Sequence, residues 1–189
     1  MSEIGRRLVH ATGTGVPGLY LLDLVSYRQL GYVLVGLAVV VTVLEIVRLG
    51  FGLDWEIYDR LTREYEQDNV AGYALYMYSM LAVAWVFEPT VALPGMLMLT
   101  VGDPISGVLG SNDATTAKEL GVLAAMFAVC LALALPFVSI LPAALGALGA
   151  TLADGFKPVV AGYVVDDNLS IPPSAAVGIT LGTVLLTLV

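Results

Sequence analysis

The sequence is short of charge. Only 13% of its 189 residues are Asp, Glu, Lys or Arg, against roughly a quarter in an ordinary water-soluble domain, while 58% are hydrophobic. Together with a mean hydropathy of +0.89, this excludes a soluble globular domain. Positive charge is scarcer still: eight Lys and Arg stand against sixteen Asp and Glu, a formal net charge of −8. That balance repels phosphate backbones and argues against nucleic acid as a partner. The one cysteine, Cys130, sits in an apolar run. It cannot form an intrachain disulfide and reads as a small core hydrophobe. No GxxxxGK[ST] loop, HExxH pair or CxxC spacing occurs, so P-loop nucleotide binding and a zinc site have no support. Lysine stands only at positions 118 and 157. Scarce lysine and acid-rich loops point to the cell membrane of a salt-adapted prokaryote of the haloarchaeal kind, since excess acidity keeps proteins soluble at high ionic strength.

What the sequence has in quantity is apolar length. A transmembrane helix takes about 20 apolar residues. Segments 32–49, 72–87 and 120–140 are the clearest spans, each bounded by charge or by a Gly/Pro break. Segments 90–101, 141–152 and 174–189 are shorter, and 16–25 is weakest because Asp23 interrupts it. The expectation is an all-α polytopic membrane bundle of about seven transmembrane helices, six if 16–25 does not cross, forming one domain over residues 1–189. Seven spans use roughly 140 residues and leave roughly 50 for every loop, which leaves no room for a separate catalytic domain.

An N-terminus in the cytoplasm puts segments 1–10, 49–71, 102–119 and 153–173 inside. They hold Arg6, Arg7, Arg60, Arg63, Lys118 and Lys157, with Arg48 at the border, and only Arg28 falls outside. Segment 50–71 is expected to lie along the interface, anchored by Trp55, Tyr58 and Tyr65. The same topology brings Glu45, Arg48, Gly102, Asp103, Lys118, Asp154, Asp166, Asp167 and Asn168 to one cytoplasmic face, so loops 102–119 and 153–173 are expected to carry the active site.

Three constellations there can carry chemistry, and each has two readings. Glu45 and Arg48 share a helical face at three-residue spacing; they are either an ion pair that fixes the helix or a functional pair, since intramembrane charge costs about 2.5–3.5 kcal/mol on insertion scales. In Gly102-Asp103-Pro104-Ile105-Ser106-Gly107-Val108-Leu109-Gly110 the span breaks. The glycines let backbone N–H groups cradle phosphate and Asp103 can hold Mg²⁺, or Asp103 merely caps a turn. Asp166-Asp167-Asn168 is either a solvated turn or a cation site. Lys118 and Lys157 meet phosphate or only set topology. His10 is either an interfacial residue or a contact to phosphate or a lipid headgroup.

Taken in order, Arg6-Arg7-Leu8-Val9-His10, Glu45-x-x-Arg48, Gly102-Asp103-x-x-Ser106-x-x-x-Gly110, Lys118 with Gly121, and Asp166-Asp167-Asn168-Leu169-Ser170-Ile171-Pro172 resemble the polyprenol kinase family. That family includes dolichol kinase, phytol kinase and CTP-dependent diacylglycerol kinase. The resemblance runs from residue 6 to about residue 175. It implies phosphoryl transfer from a nucleoside triphosphate, usually CTP, to the hydroxyl of a membrane lipid alcohol, with Mg²⁺ as cofactor. Asp103 matches the Gly-Asp acid, Asp166-Asp167-Asn168 the second acidic motif, and Lys118 the basic residue before a Leu-Glu-Gly-Ser-like stretch. Here that stretch reads Lys118-Glu119-Leu120-Gly121-Val122, without the Ser, and Asp154 stands where relatives usually have Glu. On this reading Glu45, Asp103, Asp166 and Asp167 are catalytic, with Asp103 and Asp167 as metal ligands. Arg48, Gly102, Gly107, Gly110, Lys118 and Asn168 contact nucleotide or phosphate, and Glu45 or Asp166 accepts the hydroxyl proton.

Two other classes compete. A cytidylyltransferase making a CDP-lipid is similar in bulk, but its Lys-Asp, Gly-His-Gly-Gly and Asp-Arg-x-Asp signatures are absent. A small transporter would show inverted repeats and mid-span polar residues, and neither is evident. A homo-oligomer is compatible with either. Salt adaptation predicts that thermal stability rises with molar KCl; a melting temperature flat or falling from low salt to molar KCl contradicts it.

Overall fold

The computed structural model describes residues 3–51, 67–110, 118–160 and 163–188. They are predominantly helical: α1 (Glu3–Thr12), α2 (Gly15–Leu21), α3 (Tyr27–Phe51), α4 (Gly72–Val86), α5 (Pro89–Leu97), a π-helical turn (Met98–Gly102), α6 (Asp103–Leu109), α7 (Leu120–Ala134), α8 (Ile140–Gly155) and α9 (Asp167–Thr187). Among the described residues the one departure from an all-α chain is a small antiparallel pair, β1 (Val159–Val160) and β2 (Tyr163–Val164), with Val159 opposite Val164 and Val160 opposite Tyr163. Its β-branched and aromatic residues suit a strand.

Among the described residues, three stretches are long and apolar enough to cross a membrane: Tyr27–Gly50, Pro89–Leu109 and Asp167–Thr187. The 21 residues of each of the last two measure about 32 Å at 1.5 Å per residue, against a hydrocarbon core of about 30 Å. Helices α4, α7 and α8 are apolar but shorter. The weak segment at 16–25 forms only the seven-residue α2, about 10 Å long, before the chain turns at Asp23 in a left-handed conformation (φ 55°). Helix α3 turns Val35, Val39, Val40, Val43 and Ile46 outward, and α9 does the same with Val177, Leu181, Val184 and Leu185. Hydrocarbon is the solvent that suits such faces.

Pro89–Leu109 is the central helix, with 78% of its apolar window buried against 33% for Tyr27–Gly50. The sequence predicts a span ending near 101 and a loop from 102, but the helix continues to Leu109. The break becomes a π-turn instead. The Asp103 N–H donates to the Met98 carbonyl five residues back, and Pro104 has no N–H to give, so the ladder widens rather than stops. Gly102 lets this turn lie against α7, where a Cβ would stand 3.2 Å from Cys130 Sγ and from Met126 Cε. Cys130 is fully buried there among Met98, Leu99 and Met126.

Helices α8 and α9 form the most extensive helix pair among the described residues, because glycines line both sides of the contact. A Cβ at Gly178 would strike the Leu145 carbonyl, and one at Gly182 would strike Pro142. Small residues spaced by four let helix backbones approach closely in a membrane. The interfacial segment expected over 50–71, with Arg60, Arg63, Trp55, Tyr58 and Tyr65, lies outside the described residues from 52 to 66.

Gly178→Ala is therefore expected to cost about 1–3 kcal/mol by overpacking, read from denaturation in detergent. Gly36→Ala, at a helical site with nothing within 4 Å of the new methyl, serves as the control and should leave stability unchanged or slightly higher.

Candidate functional site

Two helix ends and the π-turn converge on one buried acidic group. Asp103 is the first residue of α6, where the π-turn delivers it; Asp154 lies one residue before the end of α8; Asp167 opens α9. All three are buried, and one carboxylate oxygen from each lies within 4.8 Å of the others. At an effective dielectric of about 20, two like charges at that distance repel by roughly 3.5 kcal/mol. Cations beside the group relieve that repulsion.

Two are built in. Lys118 Nζ is 2.6 Å from Asp154 Oδ1 and donates to Ser106 Oγ at 2.9 Å, while the Ser106 hydroxyl donates to Asp154 Oδ2 at 2.6 Å. Lys157 Nζ is 2.6 Å from Asp167 Oδ2. Both lysines are placed by local structure: the Lys118 N–H reaches the Gly155 carbonyl at the end of α8, and Lys157 starts the segment leading to β1. Asp166 is the N-cap of α9, its Oδ1 accepting from the Asn168 N–H at 2.9 Å and from Asn168 Nδ2 at 2.6 Å. Ser79 on α4 donates to the Asn168 carbonyl at 2.6 Å, tying α4 to the start of α9.

Helix α1 closes one side. His10 Nε2 donates to the Leu99 carbonyl at 3.0 Å and lies 3.5 Å from Asp103 Oδ2. Its ring meets Tyr76 edge-on, with centroids 4.6 Å apart, and the Tyr76 hydroxyl donates to the His10 carbonyl at 3.1 Å. The Arg7 guanidinium lies across Gly107 where a side chain would otherwise stand, within 3.5 Å of the Pro104 carbonyl.

Of the residues predicted from sequence, the structure brings Asp103, Asp167, Lys118, Asp166 and Asn168 together. It does not bring Glu45 and Arg48 to them. Arg48 forms a two-pronged pair with Glu45 (Nε to Oε1 3.0 Å, Nη2 to Oε2 2.7 Å) and donates to the carbonyls of Gln67 and Asn69. Glu45 also accepts from the Ala71 N–H at 3.0 Å and from the Tyr73 hydroxyl. Both its oxygens are thus engaged in holding α3 to the start of α4, the helix-fixing reading of this pair.

The glycines make close packing contacts. Gly102 faces α7, Gly107 lies beneath Arg7, and the Gly110 N–H donates to the Ser106 carbonyl at 2.9 Å. Sequence reasoning missed Ser79; it quoted Ser106 only within the Gly-Asp motif, placed Asp154 at the same face without naming it a metal ligand, and gave Lys157 a phosphate contact as one of two readings. For Asp154 the signal was present, as the one acid of the stretch from 141 to 157, three residues before Lys157.

No family model, curated protein or solved structure matches the chain.

Arg48→Met, which strands a mostly buried carboxylate, is expected to cost about 3 kcal/mol. The double variant Glu45→Met with Arg48→Met should cost less than the single one. Denaturation curves check both, and Mn²⁺ affinity unchanged in Arg48→Met would show that the pair stands apart from the acidic group.

Proposed function

We propose that this protein is a CTP-dependent lipid kinase that transfers the γ-phosphoryl group to the hydroxyl of a membrane isoprenoid or polyprenol-type alcohol, as the motif resemblance implies. The observation that carries the reading is the buried carboxylate triad with two lysines, set at two helix ends and a π-turn of an apolar bundle. In this reading the N-terminus and the triad face the cytoplasm of a prokaryotic cell.

The donor set fits Mg²⁺. Three carboxylates and no thiolate or imidazole in the triad select a hard, oxygen-seeking cation. Beside them, the hydroxyls of Thr100 and Thr151 and the Asn168 Oδ1 are buried with no hydrogen-bond partner among the described residues. Thr100 and Thr151 stand three residues before Asp103 and Asp154. Other helical threonines of the chain, Thr42, Thr180 and Thr183, bond the carbonyl four residues back. Unspent oxygens beside a triad suit the waters that Mg²⁺ keeps.

Asp103, Asp154 and Asp167 would hold the ion, which when bound supplies charge neutralisation on the triphosphate. The rest falls to the chain. Phosphoryl transfer asks chiefly for positioning and for charge to be met. Lys118 and Lys157, already at the triad, neutralise phosphate oxygens, and Ser106 holds Lys118 and Asp154 in register. Of the two acids read as proton acceptors, Asp166 is the one beside the triad, so the hydroxyl proton is assigned to it. The apolar bundle excludes water and admits a lipid tail from the side.

Purified protein in vesicles with labelled CTP, Mg²⁺ and a panel of lipid alcohols and lipid phosphates tests this. CDP and a phosphorylated lipid are expected, and Asp103→Ala should lower transfer at least about 100-fold. Full activity in that variant, or pyrophosphate with a CDP-lipid as products, overturns the assignment.

A further inference from the structure

We infer that α1 belongs to the working site, with His10 as a positioning residue that holds the π-turn and thereby sets Asp103. The case starts from the backbone. Within Met98–Gly102 the Asp103 N–H goes to the Met98 carbonyl. In that i to i−5 register the partner of the Leu99 carbonyl is residue 104, which is proline and has no N–H. The turn therefore leaves the Leu99 carbonyl without its helical donor. It is buried, and a buried unpaired carbonyl is costly. His10 Nε2 fills the vacancy at 3.0 Å from another helix.

Tyr76 in turn holds His10 in place. Tyr76 packs edge-on against its ring and donates to its backbone carbonyl, and Gly13 lets α1 come this near, since a Cβ there would strike the Tyr76 hydroxyl. The same Nε2 lies 3.5 Å from Asp103 Oδ2. One side chain thus holds the turn that aims Asp103 and lies against its carboxylate. Partners behind a metal ligand act in this way: they fix its orientation, and removing them typically lowers metal affinity 10- to 100-fold.

The inference rests on the reading of the triad as a cation site but not on the identity of the reaction. The experiment is Mn²⁺ titration by electron paramagnetic resonance of the full chain in detergent. His10→Ala should weaken Mn²⁺ binding about tenfold. His10→Gln, whose amide nitrogen can reach the Leu99 carbonyl, should return to within about threefold of the natural chain. Tyr76→Phe, which keeps the ring and drops one hydrogen bond, should weaken binding two- to fivefold; it decides the matter if His10→Ala does not fold. Thr12→Val, on α1 but bonded only to Val9, should change nothing.

His10→Ala or Tyr76→Phe binding Mn²⁺ like the natural chain overturns the inference. So does a folded His10→Gln as weak as His10→Ala, because the imidazole would then act as more than a donor. A natural chain that binds no Mn²⁺ overturns both the cation site and this inference. One that binds Mn²⁺ but transfers no phosphoryl group ends the kinase reading alone.

Discussion

Three carboxylates buried within 4.8 Å of one another are the constraint on which the rest of this molecule depends. Their mutual repulsion when ionised, roughly 3.5 kcal/mol for each pair at an effective dielectric of about 20, is relieved by opposite charges brought equally deep or by protonation of a carboxylate. Lys118 and Lys157 are the chain's only two lysines, and each sits 2.6 Å from a triad carboxylate. The two lysines meet Asp154 and Asp167, and neither is paired with Asp103. Both of the chain's lysines thus lie on one buried acidic group, the arrangement on which the proposed lipid kinase reading rests.

The scaffold serves this cluster through backbone approach. Glycines between α8 and α9 close the distance between the helices that carry Asp154 and Asp167. The π-turn re-aims the central helix so that Asp103 joins them. π-Turns are uncommon and concentrate at functional sites. Here one follows from local chemistry: a proline follows the aspartate, and a glycine precedes it where α7 presses in. The charged pair at Glu45 and Arg48 meets a different demand, joining the outer helix α3 to the start of α4 with every carboxylate oxygen engaged.

Much of this was legible in the sequence, and the reasons differ by residue. Apolar run length carries the helical class and the outer helices, because hydrophobicity over about 20 residues is a strong signal. Asp103 and Asp167 stood out through their Gly-Asp-Pro and Asp-Asp-Asn contexts. Asp154 did not, since its role depends on α8 ending beside the start of α9, a matter of packing rather than spacing. Gly-Asp-Pro was read as a break because glycine and proline usually end helices; whether such a break becomes a loop or a π-turn is decided by what packs against it, here α7 and His10. The Glu45 and Arg48 spacing gave the ion pair but not its partners, Ala71 and Tyr73, which lie 26 and 28 residues on from Glu45.

The most direct measurement is anomalous diffraction at the manganese edge from crystals of the full chain grown with Mn²⁺. The account predicts one strong peak bounded by Asp103, Asp154 and Asp167, at about 2.1–2.2 Å from an oxygen of each, near the range for a small hard cation. Crystals that contain Mn²⁺ elsewhere, with Lys118 and Lys157 still paired to Asp154 and Asp167 and no peak among the three carboxylates, would contradict it.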